Sequence, residues 1–356
     1  MLLLLSLLFG CSHNTPNTSP QPLSDANPNA DVAEKNVDTT VQPEVEEVIK
    51  EPPPPPPPLQ SPDGTIMLDC PENVPEDMAC VPGGEMIRGT NQEHSCGQGE
   101  NKRYKTQFGP ETEIWVQTFL MDKTEVTYEA YQKCRQEKKC DYAHPSYGDF
   151  NRPNQPMMGA SWHAAKKFCE VQGKRLPTEA EWEKAARGSE GAATPFENVD
   201  VVTCDEAIIK DDSGRSCGVR KKGSHPEKGR VWEVALQAPG RYGLYDMVGN
   251  AEEWVSDWFA PSLEKCGEDC RGTNPQGPCA GKSSCPEFAI RDGKALKMVK
   301  GGSWYWPAED AIGWHRRPHV PENKPYHHFG FRCAKDIILV ESPSADPENL
   351  QTPNQK

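Results

Sequence analysis

Short apolar patterns run through the middle of this chain, and three of them repeat with the period of an α-helix. The first pattern follows Thr127, whose hydroxyl suits a helix N-cap, and continues through Tyr128, Tyr131 and Gln132. We therefore predict a helix that begins after Thr127 and ends near Cys134.

Two further helices are predicted from their end signals. Ser161 suits the N-cap of the second helix and Gly173 its end, with an apolar face made of Ala164, Ala165, Phe168 and Cys169. Thr178 and Glu181 form a capping box for the third helix, which ends at Gly188. The residues predicted to be buried in the third helix are Trp182, Ala185 and Ala186. The remaining segments, rich in Gly and Pro, indicate loops and short strands.

The first ten residues, MLLLLSLLFG, form an apolar run that is too short to span a bilayer. Residues 1–10 resemble a bacterial lipoprotein signal that is cleaved after Gly10, so that Cys11 becomes the lipid-modified first residue. Ser12 resembles the signal for sorting to the outer membrane. We expect a protein of the bacterial cell envelope that is held on the outer membrane by its lipid; an unprocessed apolar N-terminus is the alternative.

Residues 12–66 carry nine acidic residues and two lysines, which is half of the chain's net charge of −14, and seven consecutive prolines stand at 52–58. We predict a disordered acidic, proline-rich tether over residues 11–66, one folded domain over residues 67–338, and a disordered tail over residues 339–356. Phosphate contact needs clustered basic residues, so we expect no nucleic-acid partner. The short basic clusters at residues 220–222 and 315–317 are expected to be solvated loops.

Fourteen cysteines, one of them reserved for lipid, fit an oxidising compartment and disulfide bonds. Proximity in the sequence suggests bridges between Cys134 and Cys140 and between Cys204 and Cys217. A bridge between Cys70 and Cys80 would leave Cys96 single. Two more bridges are expected among Cys266, Cys270, Cys279 and Cys285; a metal site is the alternative for these four, although they lack the close spacing of a zinc knuckle.

Several blocks of the sequence, in order, resemble the formylglycine-generating (sulfatase-modifying factor) domain family. They are ACVPGGEM at 79–86, MDKTEVT at 121–127, SWHAA at 161–165 with GKRLPTEAEWE at 173–183, YGLYDMVGNAEEW at 242–254, and the closing GGSW at 301–304 with GFRC at 330–333. The resemblance implies an α+β fold of the C-type-lectin-like kind, with short helices and strands, many loops and disulfides. It also implies a disulfide between Cys169 and Cys333.

In the catalytic members of that family, two cysteines follow the GGS segment, bind copper(I) and oxidise a cysteine of a client sulfatase. The corresponding positions here hold Trp306 and Ala311, and no cysteine lies between Cys285 and Cys333. Copper(I) is a soft ion that prefers thiolate ligands. We therefore expect neither copper nor catalytic residues of this kind.

The resemblance also implies a structural calcium site in the segment from residue 246 to 253. Its ligands would be the side chains of Asp246 and Glu253 and the carbonyls of Gly249 and Ala251, which are the hard oxygens that calcium prefers. The alternative is a tight turn in which Asn250 and Glu252 form local hydrogen bonds.

Clustered Trp, Tyr and Arg side chains suit a recognition surface. We predict a binding groove lined by Trp304, Tyr305, Trp306, Trp314, Arg316 and Arg317, with an envelope protein, a peptide or a glycan as the ligand. His315 and His319 have an iron-ligand spacing, but Pro318 prevents a helix between them, so we expect exposed loop histidines. The leading hypothesis is a membrane-tethered, non-catalytic binding or scaffold module; the alternative is a formylglycine-generating oxidase.

Overall fold

The computed structural model describes residues 57–92, 108–220, 222, 229–282, 290–291, 293–322 and 327–337. The helices are α1 (Tyr128–Gln136), α2 (Trp162–Val171), α3 (Glu179–Arg187) and the single-turn α4 (Leu263–Cys266). The strands are β1 (Met78–Val81), β2 (Gly84–Arg88), β3 (Thr112–Val116), β4 (Phe119–Asp122), β5 (Glu252–Trp258), β6 (Gly272–Thr273), β7 (Ile290–Arg291), β8 (Lys294–Ala295), β9 (Lys297–Lys300), β10 (Arg316–His319), β11 (Phe329–Gly330) and β12 (Ala334–Asp336).

The predicted caps form at all three long helices. The hydroxyls of Thr127 and Ser161 accept hydrogen bonds from backbone N–H groups in the first turns of α1 and α2, and Thr178 and Glu181 form both bonds of the capping box at α3. The first helix extends to Gln136, slightly beyond the predicted end. Side-chain capping of otherwise unpaired N–H groups therefore sets where each helix begins.

The strands form small sheets that assemble around α3. β4 lies between β1 and β12, β3 lies between β2 and β6, and β7 and β8 form a hairpin. The largest sheet has the order β10-β9-β5-β11, in which β11 runs parallel to β5 and the other neighbours are antiparallel. This mixture of short helices and short mixed sheets is the predicted α+β class.

Two apolar clusters account for most of the core. One joins strands β1 to β4 to α3, with Trp182 fully buried at its centre. The other lies between α1, α2 and the four-stranded sheet, and its members include Tyr131, Phe168 and Trp254. The rings of Tyr131 and Phe168 stack with their centroids 5.5 Å apart. The apolar faces predicted for the three helices are the faces that these clusters bury.

The third helix is buried on every side, although five of its nine residues are charged. Glu179 accepts hydrogen bonds from Arg316 at 2.7 and 2.8 Å and from Arg88 at 3.0 Å, and Lys300 Nζ lies 3.5 Å from it. Burial acts to raise the pKa of Glu179, but the charges of Arg316, Lys300 and Arg88 outweigh it and hold the pKa below its usual value.

The other charged residues of α3 also have partners inside the domain. Glu183 accepts from the backbone N–H of Gly89 at 2.7 Å and from Arg187. Lys184 Nζ donates to the carbonyl of Gly84 at 2.7 Å, and burial lowers the pKa of Lys184 to about 8. We call this set of buried charges around α3, with its partners Arg88, Lys300 and Arg316, the α3 ion network.

Five complete disulfides occur within the described residues. They are Cys70–Cys80, Cys134–Cys140, Cys169–Cys333, Cys204–Cys217 and Cys266–Cys270. Cys279 is also disulfide-bonded. The bridge between Cys169 and Cys333 joins α2 to the segment before β12 across 164 residues of sequence. Several of the predicted bridges are therefore present, and cysteines 266 and 270 form a disulfide rather than a metal site.

Residues 59–66, at the end of the predicted tether, form a turn that is hydrogen-bonded to the domain. The N–H of Met67 donates to the carbonyl of Leu59 at 2.8 Å, and Ser61 and Asp63 side chains close a turn on the N–H of Thr65. The side chain of Gln117 holds this turn by donating to the carbonyl of Ile66 at 2.7 Å. Ser, Pro, Asp and Gly in succession favour a turn, and this signal outweighed the polar composition.

Several expectations concern residues outside the described ones. They are the signal at residues 1–10, lipid-modified Cys11, the tether up to residue 56, the single Cys96, Cys285, and the tail at residues 339–356. None of the helices in the described ranges is long and apolar enough to cross a membrane.

We predict that the Cys169→Ala/Cys333→Ala variant is less stable to urea by about 5 kcal/mol, because the bridge closes a long loop in the unfolded chain. The matched control is Cys266→Ala/Cys270→Ala, whose loop spans only 4 residues of separation and should contribute about 2 kcal/mol. Equal losses of unfolding free energy in the two variants would contradict a role based on loop length.

We predict that Glu179→Gln lowers the free energy of unfolding by about 3–5 kcal/mol, since it leaves buried cations without their counter-charge. The control is Glu170→Gln on α2, which removes an exposed pair with Lys166 and should change the free energy by less than about 0.5 kcal/mol. Chemical denaturation of both variants at pH 7 measures the difference, and a Glu179→Gln variant as stable as the control would refute the importance of the α3 ion network.

Candidate functional site

The segment after β9 places the two positions that correspond to the family's cysteines in different surroundings. The chain reverses at Gly301 and Gly302, and a Cβ atom on Gly302 would lie 2.5 Å from the carbonyl oxygen of Asp310. Trp306 is half-buried, and its carbonyl accepts from the N–H of Lys210 at 2.8 Å. Ala311 is buried in an apolar cluster with Val202, Ala207, Ile209 and Val248.

The donor groups present do not fit copper(I). An indole and a methyl group stand where thiolates would be needed, and Ala311 faces aliphatic side chains. Every cysteine in the described part of the chain is disulfide-bonded. No thiolate pair is therefore available there for this ion.

The six residues predicted to line one groove do not do so. Trp304 and Arg316 are 2% exposed and Trp314 is 5% exposed. Trp304 Nε1 donates to the carbonyl of His327 at 3.0 Å, and Arg316 belongs to the α3 ion network. Successive side chains of a β-strand point to opposite faces, so β10 turns Arg316 inward and Arg317 outward. Two arginines that are adjacent in the sequence therefore lie in different environments.

The prediction that His315 and His319 lie on exposed loops is also wrong. His315 is buried, and its Nδ1 lies 3.6 Å from Asp310 Oδ1. His319 is half-buried against the rings of Trp254 and Phe329, and burial lowers the pKa of His319 to about 4. Both histidines therefore belong to the packed structure.

Tyr305, Trp306 and Arg317 stay half-exposed and meet two residues that the sequence prediction missed, Glu252 and His328. We call these five residues the Trp306 cluster. Arg317 donates to Glu252 Oε2 at 2.9 Å and lies over the ring of Trp306, 5.1 Å from its centroid. The His328 ring centroid is 4.5 Å from that of Tyr305 and 5.9 Å from that of Trp306. His328 lies directly before β11. The carbonyl of His328 accepts a hydrogen bond from the N–H of Glu252 at 2.8 Å, which holds His328 next to the other members of the cluster.

Three polar atoms of the Trp306 cluster have no hydrogen-bond partner within the described part of the chain. They are Glu252 Oε1, His328 Nδ1 and Trp306 Nε1. Glu252 is fully buried and His328 is 6% exposed. Burial raises the pKa of Glu252, although Arg317 opposes the shift, and burial lowers the pKa of His328 to about 2. The cluster therefore holds a neutral imidazole beside a carboxylate that is paired on one oxygen only.

A small cavity of about 100 Å³ adjoins the Trp306 cluster. Its lining consists of Tyr147, Phe150, Arg215, Gly229, Trp304, Tyr305 and His327. The guanidinium of Arg215 lies 3.5 Å from the centroid of the Tyr305 ring, and the His327 ring is 4.2 Å from that of His328. The cavity thus shares Tyr305 with the cluster and has an aromatic wall.

The segment predicted to hold calcium forms a buried turn. Asp246 and Asn250 have left-handed backbone angles, and Asp246 Oδ2 accepts from the N–H of Ala235 at 2.8 Å. Glu253, predicted to be a calcium ligand, is instead bonded to other side chains. Both of its oxygens accept from Arg332 at 2.7–2.9 Å, and one also accepts from Trp182 Nε1 at 2.8 Å. Glu253 therefore binds a guanidinium from the last part of the domain.

Glu125 adds an acidic group to this turn. Its Oε1 accepts from the side chain of Asn250 at 3.1 Å, while its buried Oε2 has no hydrogen-bond partner among the described residues. Burial and the charge of Asp246 raise the pKa of Glu125, and burial likewise raises the pKa of Asp246. Within the described ranges no three His, Cys, Asp or Glu side chains are placed to hold a metal. Two carboxylates and backbone carbonyls remain as a donor set that fits a hard cation.

Glu125, Glu252 and His328 were missed for different reasons. Glu252 was read only as a possible local partner in a turn, because its separation from Arg317 in the sequence hides the pair. His328 stands two residues before the GFRC block, and only the pairing of β11 with β5 shows that it lies near Glu252. Glu125 lies in the block MDKTEVT, which indicates the family but not the contact of this side chain with Asn250.

Comparison with known proteins gives a family to this arrangement. Residues 65–337 match the sulfatase-modifying factor enzyme 1-like domain. The chain is 30% identical to bovine formylglycine-generating enzyme over 215 residues, which cover 56% of this chain and 50% of that protein. It is 26% identical to the mouse protein named inactive Cα-formylglycine-generating enzyme 2 over 201 residues, covering 54% of this chain and 53% of that protein. The chain spans about half the length of these two relatives.

Solved structures support the fold. PvdO from Pseudomonas aeruginosa superposes with a TM-score of 0.54 at 20% sequence identity, covering 76% of this chain and 100% of that chain. At this level of sequence identity, the similarity supports the fold and nothing further. Because the family match extends over most of the chain and agrees with the fold, the chain belongs to the sulfatase-modifying factor enzyme 1-like domain family.

Proposed function

We propose that this domain is a non-catalytic binding or scaffold module of the bacterial cell envelope, attached to the outer membrane through lipid at Cys11. The observation that carries the proposal is the replacement of the thiol pair by Trp306 and Ala311, one in a half-exposed polar cluster and the other in an apolar cluster. A relative named inactive in the same family supports it. The ligand would be an envelope protein, a peptide or a glycan.

The alternative is a formylglycine-generating oxidase, which the similarity to enzymes of that name favours. It requires a redox-active metal or cofactor at the reacting cysteine of the client. The residues at positions 306 and 311 offer no thiolate to such a metal. An assay for oxidase activity therefore distinguishes the non-catalytic module from the oxidase.

We predict that the purified domain, incubated with copper and a peptide carrying a sulfatase motif, leaves the peptide cysteine unchanged. Mass spectrometry of the peptide measures conversion to formylglycine, and an active formylglycine-generating enzyme run in parallel provides the positive control. Conversion that persists after repurification of the domain would refute the non-catalytic role and favour the oxidase.

The buried turn supports a structural calcium ion as part of the proposal. Asp246 and the unpartnered Oε2 of Glu125 would supply carboxylate oxygens, and Gly249 and Ala251 would supply carbonyls. Glu253 would hold the turn in place from its pair with Arg332. A bound cation would offset the cost of burying these two carboxylates, which raises the pKa of each.

We predict that chelation with EGTA lowers the melting temperature of the domain, since an ion bound to the folded state at 100 times its Kd stabilises by about 2.7 kcal/mol. Asp246→Ala should remove the difference between calcium and EGTA, while the exposed control Asp212→Ala should retain it. Glu253→Gln should lower stability in both conditions because it breaks the pair with Arg332. A melting curve of the unmodified domain that is indifferent to EGTA would reject the calcium ion.

A further inference from the structure

The cavity beside the Trp306 cluster opens at the surface of the domain. Of its lining residues, Tyr147 is 41% exposed, and Arg215, Tyr305 and His327 are half-exposed. Arg215 is the one lysine or arginine among the described residues that line it, and none of them is an Asp or Glu. A small group that enters from solvent therefore meets a guanidinium and no carboxylate.

The guanidinium of Arg215 has hydrogen-bond donors that the described part of the chain leaves unused. Its Cζ lies 3.5 Å from the centroid of the Tyr305 ring. At this distance the flat face of the guanidinium must lie on the ring, because an edge-on approach would drive its N–H groups into the ring. Those N–H groups lie in the guanidinium plane, and they form no hydrogen bond or ion pair with another described residue. Unlike Glu252 Oε1, the nitrogens of Arg215 are reached by solvent.

The backbone that carries Arg215 is held in place on both sides of the next residue. The N–H of Ser216 donates to the carbonyl of Trp304 at 2.8 Å, and the hydroxyl of Ser216 accepts from Trp232 Nε1 at 2.9 Å. Cys217 is disulfide-bonded. Ser216 and Cys217 both have left-handed backbone angles, which residues with a side chain adopt only where the surrounding contacts impose them. A ligand that pairs with the guanidinium therefore does not have to order this segment.

The chemistry of the cavity fits a carboxylate. A guanidinium can bind a planar carboxylate through two parallel N–H···O bonds, and its single positive charge is balanced by the single negative charge of that group. Such a pair would offset the cost of keeping a half-buried cation without a counter-ion. A phosphate group, whose charge approaches −2 at about pH 7, would retain part of its charge without a partner in this cavity.

The size and walls of the cavity indicate how the rest of the ligand is placed. Its volume of about 100 Å³ equals the space of about three water molecules, which is enough for a carboxylate and the carbon next to it. Phe150 and Trp304 are buried and close the inner wall, with their ring centroids 5.5 Å apart. The body of the ligand would lie at the mouth, where Tyr147 and Tyr305 present exposed ring surface.

We propose that this cavity binds an organic monocarboxylate, with its carboxylate on Arg215 and its apolar body on the rings of Tyr147 and Tyr305. A small carboxylic acid and the C-terminus of a peptide present the same group, and the experiment below distinguishes them. The proposal rests on the proposed binding role and adds the class of ligand.

The test is a titration of the full-length chain with 4-fluorophenylacetate and with its neutral isostere 4-fluorophenylacetamide, followed by fluorine NMR. We expect the acid to bind about tenfold or more tightly than the amide, because charge-assisted hydrogen bonds are stronger than neutral ones. Three competitors are then tested for displacement of the acid: a tripeptide that ends in phenylalanine, the same tripeptide with an amidated C-terminus, and inorganic phosphate.

The variants separate the charge of Arg215 from its shape. Arg215→Met removes the charge and the donors but keeps an unbranched side chain beside Tyr305, and it should weaken binding of the acid about tenfold or more. Arg215→Lys keeps the charge without the planar fork and should weaken binding by a smaller factor. The control Arg271→Met removes an arginine from an exposed position and should bind as the unmodified chain does. Melting curves identify any variant that fails to fold, and Arg215→Lys remains informative if Arg215→Met does not fold.

Equal binding of the acid and the amide would overturn the proposal, as would acid binding that Arg215→Met leaves unchanged or the absence of binding by every carboxylate tested. Displacement by phosphate at lower concentration than by any carboxylate would overturn the carboxylate class. Displacement by the free tripeptide alone supports a peptide C-terminus as the source, and displacement by neither tripeptide supports a small acid. Formylglycine formation in the peptide assay would instead overturn the proposed function, and it would leave the effect of Arg215→Met on carboxylate binding unaltered.

Discussion

The pairing of charges around α3 is the constraint on which the rest of this domain depends. A helix buried on all sides can keep charged residues only if each finds a partner, because an unpaired buried charge costs several kcal/mol. The partners come from separate elements: Arg88 from β2, Lys300 from β9 and Arg316 from β10. The positions of three strands are thereby tied to one helix. Because Arg316 points into this network, its neighbour Arg317 points to the other face of β10, where it pairs with Glu252 in the Trp306 cluster.

Much of the local structure follows from the sequence, because its causes are local. The caps at Thr127, Ser161 and Thr178 act within one turn, and they were sufficient to place three helices. Burial of the charged face of α3 could not be predicted in the same way. Glu179 and Glu183 are charged, a property that predicts exposure, and the partners Arg88 and Gly89 that hold them in the interior lie more than 90 residues away in the sequence.

The candidate site shows the same division between local and distant causes. The replacement of the thiols by Trp306 and Ala311 is visible in the sequence, whereas the separation of these two positions into a polar cluster and an apolar one is not. Three of the six residues predicted to line the groove, Trp304, Trp314 and Arg316, are buried, because residue type alone does not distinguish a side chain that packs in the core from one that faces outward. The family match fixes the scaffold, and the chemistry of the altered site must be inferred from residues such as Glu252 and His328 that distant strands bring together.

The bridge between Cys169 and Cys333 determines whether the chain falls apart when its backbone is cut. It joins a helix in the middle of the domain to its last strand region, so any single cleavage of the backbone between these residues leaves the two pieces linked. The ends at such a cut stay close, and the buried charges around α3 can remain paired. A single cut in one surface loop would then leave the molecule in one covalent piece, and separation of the two fragments would require reduction as well as hydrolysis.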